Sequence, residues 1–484
     1  MNKNTGNHLT ASRTHPFPFP SAFSSVIPPP RFRRQLPPPA LLALALIFTI
    51  CGGAALLHSP LAQKGPPITW LDAFFTATSA ACVTGLAVVD TGSHFTFFGQ
   101  AVILLLIQLG GLGVMTIGTL VLLALGQRPT AVVRQLLSGL ASHQSTIRAR
   151  DILGTVVSTT LTVELIGAGV LFLVFLKTHG VMEAAWLAIF HSVSAFCNAG
   201  FSLWPDSLTR YAADPIVNLT IAGLIIIGGL GFIVLVELRL WGFSRWRNSG
   251  AYQHLSLHSR VVLAATAVAF LGGTLLLFVL ELSNALANRP WGECVLIAAF
   301  QSVSARTAGF NTVDIGALTN PSILVLIGLM FVGAGPGSMA GGIKLTSAAV
   351  VLALVGHRMR GNREVQLFRR AVGELTIQRA VVLAVLASLL VGAIVCGIEV
   401  ARAGGPPTTT NRGELLQVVF EVVSAFGTVG LSMGLTASLD AVSKFLLIGL
   451  MFVGRLGPLL LMDFFEHLPP APPVRYAKEE LMVG

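Results

Sequence analysis

The chain has 484 residues, 54% of them hydrophobic and 11% charged, with a mean hydropathy of +0.78. A soluble domain carries about 25% charged residues, so the composition excludes one and describes a polytopic membrane protein. The net charge of +10 would suit a nucleic-acid binder, but its placement along the chain, set out below, excludes that class; the five cysteines, Cys51, Cys82, Cys197, Cys294 and Cys396, are too scattered for a disulfide framework or a metal motif.

Residues 1–39 hold Lys3, Arg13, Arg31, Arg33 and Arg34, nine prolines and no acid. Such an arm cannot bury a core and reads as a disordered or polyproline-like cytoplasmic tail. It is no signal peptide, because the apolar run that follows is long and lacks a small-residue cleavage site.

Eight apolar runs follow: Ala40–Leu57, Phe97–Leu125, Ile152–Leu176, Ile216–Val236, Val261–Leu280, Ile323–Leu354, Val381–Ile398 and Phe445–Met462. Each approaches or exceeds the roughly 20 residues of a spanning helix. Between the two runs of each pair lies one copy of a shorter device. The copies begin Phe75-Thr-Ala-Thr-Ser-Ala80, Phe190-His-Ser-Val-Ser-Ala195, Phe300-Gln-Ser-Val-Ser-Ala305 and Phe420-Glu-Val-Val-Ser-Ala425, and they end at Gly85, Gly200, Gly309 and Gly430. Each is too short to cross a bilayer, so it reads as a helix that enters the membrane and turns back at a glycine. Irregular backbone is tolerated there only where it lines a water-filled cavity or is buried in protein.

The second run of each pair repeats a further motif. Gly110-Gly-Leu-Gly113 and Gly228-Gly-Leu-Gly231 match, Gly454-Arg-Leu-Gly457 carries an arginine, and Gly333-Ala-Gly-Pro336 diverges. Self-similarity across both motifs predicts the architecture: an all-α polytopic membrane protein of four span–pore-loop–span repeats, with eight transmembrane helices and four re-entrant pore helices around one central pore. The divisions are the arm 1–39, repeat 1 over 40–126, repeat 2 with its preceding loop over 127–240, repeat 3 over 241–355, repeat 4 over 356–463 and a C-terminal tail over 464–484.

Orientation follows from Lys and Arg. With a cytoplasmic N-terminus, 21 of them fall inside and seven outside, while Arg306, Lys344 and Arg455 sit at membrane depth. Both termini are therefore expected in the cytoplasm, and the positive charge needs no nucleic acid. The outer side is acidic, with Asp72, Asp90, Glu183, Asp206, Asp214, Glu293, Asp314, Glu414, Glu421 and Asp440 flanking the short segments. Singly these read as solvated loop charges; together they suit a cation entrance.

A dehydrated alkali cation needs several oxygens at fixed distance, which backbone carbonyls supply when consecutive residues turn inward. Glycine permits the necessary backbone angles. The expected ion-binding lining is Val83-Thr84-Gly85, Asn198-Ala199-Gly200, Thr307-Ala308-Gly309 and Thr428-Val429-Gly430. None of these carries a charge, so carbonyls and the threonine hydroxyls would bind the ion, helped by the negative ends of four helix dipoles. The third loop is one residue shorter from its serine to its glycine and carries Arg306, which cannot stand free in a cation path. It is expected to point behind the loop, bonded to carbonyls or an acid.

The run Gly333-Ala-Gly-Pro-Gly-Ser-Met-Ala-Gly-Gly342 interrupts the second span of repeat 3. Five glycines and a proline in ten residues cannot stay helical. As the intramembrane segment 333–344 it is expected to be a gate, with Gly333, Gly335, Pro336, Gly337, Ser338, Gly341, Gly342 and Lys344 as its gating residues; a packing kink is the plainer alternative. Arg455 reads as an electrostatic barrier beneath the loops, or as a buried partner for freed carbonyls. Glu164, inside the third span, reads as a structural partner. Ser338 and Lys344 could instead form a Ser–Lys hydrolase dyad, but no oxyanion hole or orienting group accompanies them, and no phosphate-loop ending follows Gly342. No catalytic residue and no enzyme activity are expected.

On Thr76-Ala-Thr-Ser79 through Val83-Thr-Gly-Leu86, Arg306-Thr-Ala-Gly-Phe-Asn-Thr312, Gly335-Pro-Gly-Ser338 with Gly341-Gly-Ile-Lys344, Gly454-Arg-Leu-Gly-Pro458 and the tail Arg475–Gly484, the chain resembles the Trk/Ktr/HKT superfamily of potassium transporters. It is most similar to the membrane subunits of bacterial Ktr systems. The resemblance implies passive, potassium-selective uptake driven by the membrane potential, with K+ as the transported ion at the four glycines. Relatives with serine at the first of them often pass sodium. It also implies a multi-pass protein of the bacterial inner membrane, a homodimer that buries the Gly484 region, and a cytoplasmic ring of nucleotide-binding regulatory subunits. Residues 356–379, with six arginines, are the expected docking surface for that ring. The remaining alternatives within transport are a sodium-coupled symporter and a channel that distinguishes poorly between sodium and potassium.

Overall fold

The computed structural model describes residues 38–124, 149–246, 254–402 and 413–466. The proline-rich arm, most of the basic loop 127–151 and the C-terminal tail with Gly484 lie outside the described residues.

The described chain runs long–short–long four times. Helices α1 (Pro38–His58), α2 (Trp70–Ala81) and α3 (Phe97–Ala124) form the first unit. The second contains α4 (Ala149–Phe175), α5 (Val181–Phe196), α6 (Pro215–Leu230) and α7 (Phe232–Trp246). The third contains α8 (Leu257–Glu281), α9 (Trp291–Ser304), α10 (Asn320–Phe331) and α11 (Leu345–Met359). The fourth contains α12 (Glu374–Ala401), α13 (Glu414–Gly427) and α14 (Ala441–Glu466). The all-α expectation holds apart from one two-stranded antiparallel hairpin, Gln366–Leu367 with Arg370–Ala371, between α11 and α12.

Among the described residues, Val156–Phe175 of α4 and the whole of α8 and α12 are each long and apolar enough to span by themselves. Val268, Leu271 and Leu275 of α8, with Val385 and Leu389 of α12, are exposed, as expected of faces turned to lipid. The apolar run 216–236, expected as a span, is broken within its length. Helices α6 and α7 meet at 100°. The break falls at Gly231, whose φ of +86° is open to glycine and costly to other residues. A side chain there would also strike the carbonyl of Pro336.

The four short helices share a construction. Each carries an acid in its first turn, Asp72, Glu183, Glu293 and Glu414 respectively, where negative charge complements the helix dipole. In α2 this is a capping box: Thr69 Oγ1 accepts from Asp72 N–H at 3.1 Å and donates to Asp72 Oδ2 at 2.8 Å. The four repeat phenylalanines, Phe75, Phe190, Phe300 and Phe420, are fully buried, and so are the four aligned serines. The shared Phe-x-x-x-Ser spacing thus places an aromatic anchor and a hydroxyl on the buried side of each short helix, four residues apart.

Candidate ion pathway

The short helices end on one another's doorstep. In each loop a residue in the left-handed region stands two places before the glycine: Val83 (φ 57°), Asn198 (59°), Thr307 (71°) and Thr428 (48°). They precede Gly85 (98°), Gly200 (68°), Gly309 (75°) and Gly430 (93°). A left-handed residue at every second place tips successive peptide planes the same way, which turns consecutive carbonyls to one side of the loop.

The glycines then close a ring in chain order. A Cβ added at Gly85 would lie 2.4 Å from Ala199 O and 3.1 Å from Gly200 Cα. One at Gly200 would lie 2.8 Å from Ala308 O, one at Gly309 2.4 Å from Val429 O, and one at Gly430 2.1 Å from Thr84 O. Every glycine therefore abuts the carbonyl of the residue before the next loop's glycine, and the fourth abuts the first. No ring position has room for a side chain.

Serines tie each loop to its helix. Ser79 Oγ accepts from Gly85 N–H at 3.0 Å, and Ser424 Oγ from Gly430 N–H at 3.1 Å. Ser194 instead donates to Phe201 O at 2.8 Å, and Ser304 to Phe310 O. The backbone N–H groups of Thr84, Ala199 and Val429 reach back five residues to the serine carbonyl, at 2.7, 2.7 and 2.8 Å; in the third loop Ala308 reaches back only four, at 2.9 Å. The missing residue is absorbed here, so that Thr307 and Gly309 keep the same conformations as their counterparts.

The hydroxyls of Thr84, Thr307 and Thr428 are buried without a partner among the described residues. A buried hydroxyl left unpaired is costly, and a dehydrated cation would use its lone pairs. Asn198 plays another part. The two carbonyls that face its amide, Ala195 O at 3.1 Å and Ile225 O at 3.2 Å, require the amide turned with its nitrogen toward them, and it then braces the second loop against α6.

The glycine motifs of the second spans meet the same centre. A Cβ at Gly110, Gly228 or Gly454 would lie 1.9, 1.9 or 2.1 Å from the carbonyl of Ala81, Phe196 or Phe426. These glycines let α3, α6 and α14 press on the C-terminal ends of α2, α5 and α13. The divergent Gly333 abuts Gly341 O instead, because here the span is interrupted.

The interruption, 332–344, is folded against three of the four units. Gly335 N–H donates to Gly229 O at 2.9 Å and Phe232 N–H to Gly337 O at 3.2 Å. Gly342 N–H donates to Gly454 O at 3.3 Å, and within the segment Gly333 N–H donates to Ile343 O at 2.9 Å. A Cβ at Gly341 would lie 2.3 Å from Thr428 Oγ1, so the segment touches the fourth loop directly. Arg455 is buried and clamps the segment: it donates to Met339 O and, at 2.7 Å, to Gly110 O. Lys344 Nζ donates to Ala340 O at 2.6 Å, while Ser338 Oγ accepts from Ala340 N–H at 3.3 Å. Both side chains fold the segment on itself.

The family model of TrkH, described as a cation transport protein, matches residues 50–472. The chain belongs to the TrkH family. Its relatives include Ktr system potassium uptake protein B of Bacillus subtilis, 38% identical over 92% of this chain and 97% of that protein. They also include the potassium/sodium uptake protein NtpJ of Enterococcus hirae, 33% identical over 94% and 99%. The crystal structure of the potassium transporter TrkH from Vibrio parahaemolyticus has the same fold, with a TM-score of 0.68 at 18% identity over 91% of this chain and 87% of that one.

In this TrkH-family chain the residues singled out at the four loops and in segment 333–344 lie together, while the expected entrance acids are largely occupied. Asp90, Asp214, Asp314 and Asp440 accept from backbone N–H groups that follow them. Asp206 pairs with Arg210 at 2.8 Å, and Glu293 and Glu414 pair with Arg289 and Arg402. Helix starts and ion pairs account for these acids one by one. Arg306 turns behind its loop, as anticipated, to the carbonyl and hydroxyl of Thr266 at 3.4 Å each. Glu164 meets Gln108 Nε2 at 3.0 Å, and Cys197 joins the pair through Gln108 Oε1 at 3.3 Å. Sequence reasoning passed over Gln108, Thr76, His191 and Gln301, read Cys197 only as one of five scattered cysteines and read Glu421 only as an outer-side acid; lining up the four copies shows that Thr76, His191, Gln301 and Glu421 share the position after the repeat phenylalanine.

Proposed function

We propose that the chain is a potassium-selective, channel-like uptake subunit of the bacterial inner membrane, with both termini cytoplasmic. Potassium moves passively down the membrane potential through Val83–Gly85, Asn198–Gly200, Thr307–Gly309 and Thr428–Gly430. The observation that carries this is the closed ring in which each glycine abuts the next loop's carbonyl. Four uncharged loops with carbonyls turned one way can replace the hydration shell of a weakly hydrated alkali ion. The negative ends of four helix dipoles and the unpaired hydroxyls of Thr84, Thr307 and Thr428 add to that affinity.

Segment 333–344 is the gate in this reading, and Arg455 its latch. The segment lies against Thr428 and Gly427, and Arg455 holds it through Met339 while anchored on Gly110. Release of the latch lets the glycine-rich segment move aside. A homodimer, and a nucleotide-binding regulatory ring docked on 356–379, complete the assembly. Arg358, Arg360, Arg363, Arg369 and Arg370 are exposed there and available to a partner. K+ is cargo, and the protein has no catalytic role; the relatives are named for uptake.

The name of the Enterococcus hirae relative supports a second reading, in which sodium shares or drives the pathway. Flux through liposomes containing only this protein separates the two. Potassium and rubidium well above sodium and lithium supports the first reading. Equal flux of all four keeps a pore and discards selectivity, and rubidium uptake that requires sodium identifies coupling.

A further inference from the structure

The residue after each repeat phenylalanine is Thr76, His191, Gln301 or Glu421. All four are buried, on the short helices and behind the ring. Three of them bind the chain that leaves the ring, beginning two or three residues beyond its glycine. His191 Nδ1 lies 2.7 Å from Leu187 O, which can only accept; in the neutral ring Nδ1 therefore carries the proton and Nε2 accepts from Ser202 Oγ at 3.1 Å. Gln301 Nε2 donates to Thr312 Oγ1 at 3.3 Å. Glu421 accepts from Ser432 Oγ, from Met433 N–H at 3.1 Å and from Thr436 Oγ1 at 2.9 Å. The first loop lacks this bond: Thr76 Oγ1 donates to Asp72 O of its own helix at 2.8 Å, and Ala87 stands where the other loops have a hydroxyl.

We propose that His191, Gln301 and Glu421 are positioning residues that set ion preference by pinning the exits of loops 2, 3 and 4, and that the first loop is the unpinned quarter of the ring. Ion radius is what the pins act on. The serine bonds hold each loop at its glycine or one residue beyond it, and the exit pins hold loops 2, 3 and 4 further out. With both points held, the carbonyls cannot close in around a smaller ion. Three unlike side chains do the same job at one repeat position, and each finds a hydroxyl on the exit chain. Glu421 takes two hydroxyls and one backbone N–H from its exit chain, so its loop is the most firmly held.

This inference rests on the potassium reading above. It is tested in liposomes by the potassium-to-sodium flux ratio of Ser202→Ala, Thr312→Val, Ser432→Ala, Glu421→Ala and Glu421→Gln, with thermal unfolding of each purified protein as a second readout. Removing a pin is expected to lower the ratio by about threefold to tenfold, the leverage of one hydrogen bond. Glu421→Gln, which can still accept from Ser432 and donate to Thr436, is expected to restore most of what Glu421→Ala loses. Ratios unchanged in all the hydroxyl variants, or a lower unfolding temperature with no change in ratio, overturn the inference and leave these residues as packing. Loss in Glu421→Gln equal to that in Glu421→Ala overturns it in favour of the carboxylate charge. A wild-type ratio near one removes the potassium reading and this inference with it.

Discussion

Lys444 Nζ, in the first turn of α14, donates to Asp72 Oδ1, at the start of α2, at 2.9 Å and across 372 residues of chain. The bond joins the last unit to the first on the same side of the ring as the N-termini of the short helices. Both side chains are half-buried. Burial acts to raise the Asp72 carboxyl, but hydrogen bonds from Lys444 and Thr69 outweigh it and hold the pKa below the ordinary 3.8. A depressed carboxylate contributes stability above its unfolded pKa and loses it as pH falls through the lowered value. Asp72→Asn or Lys444→Met is therefore expected to destabilise by about 1–3 kcal/mol at neutral pH, with the double variant less affected than the sum. The Asp72→Asn penalty should fade below about pH 4. Thermal unfolding in detergent at pH 7 and at about pH 2, below the lowered pKa, checks both.

Gly85→Ser is expected to weaken preference for potassium over sodium. The new Cβ would meet Ala199 O at 2.4 Å, a backbone atom of the neighbouring loop, in a left-handed conformation. Overpacking costs about 1–3 kcal/mol, and if it falls unequally on the two ions the ratio changes by about tenfold. Ratio measurements in liposomes decide it; unchanged selectivity would remove Gly85 from the ion path.

Deleting residues 336–341, or replacing Arg455 with Gln, is expected to raise potassium flux in the absence of any regulatory partner. The deletion removes the segment that touches Thr428, and the substitution loosens its clamp at Met339. Rubidium uptake by proteoliposomes is the measurement. Unchanged flux in a folded deletion protein would count against the gate.

Glycines that look alike in the sequence should respond differently to alanine. Gly110, Gly228 and Gly454 abut backbone carbonyls at 1.9–2.1 Å, whereas Gly223 and Gly449 have nothing within 4 Å. Alanine at the first three is expected to destabilise by about 1–3 kcal/mol, and at the last two to be neutral or to stabilise by up to about 1 kcal/mol through helix propensity. Unfolding temperatures of the five single variants test the contrast.

The fourfold repeat, the membrane class, the four glycine loops and the interrupted span were legible in the sequence, because each is written in local chemistry. Apolar length marks a span, a glycine at a fixed offset marks a left-handed turn, and a glycine–proline cluster cannot remain helical. Tertiary structure alone decided what depends on distant backbone. The span breaks by 100° at Gly231, and Pro336, in another unit, lies where a side chain at Gly231 would go. Most acids of the outer side, read together as an entrance, are taken up as helix starts and ion pairs, and Glu421 lies buried behind the ring under the hydroxyls of its own exit chain. Arg455 proved to grip Gly110 and Met339, 345 and 116 residues away. His191, Gln301 and Glu421 look unrelated as residue types, and only the folded chain brings a hydroxyl to each. Hydrogen-bond partners are set by which chain segments the packing brings within about 3 Å, and no local pattern of residues encodes that.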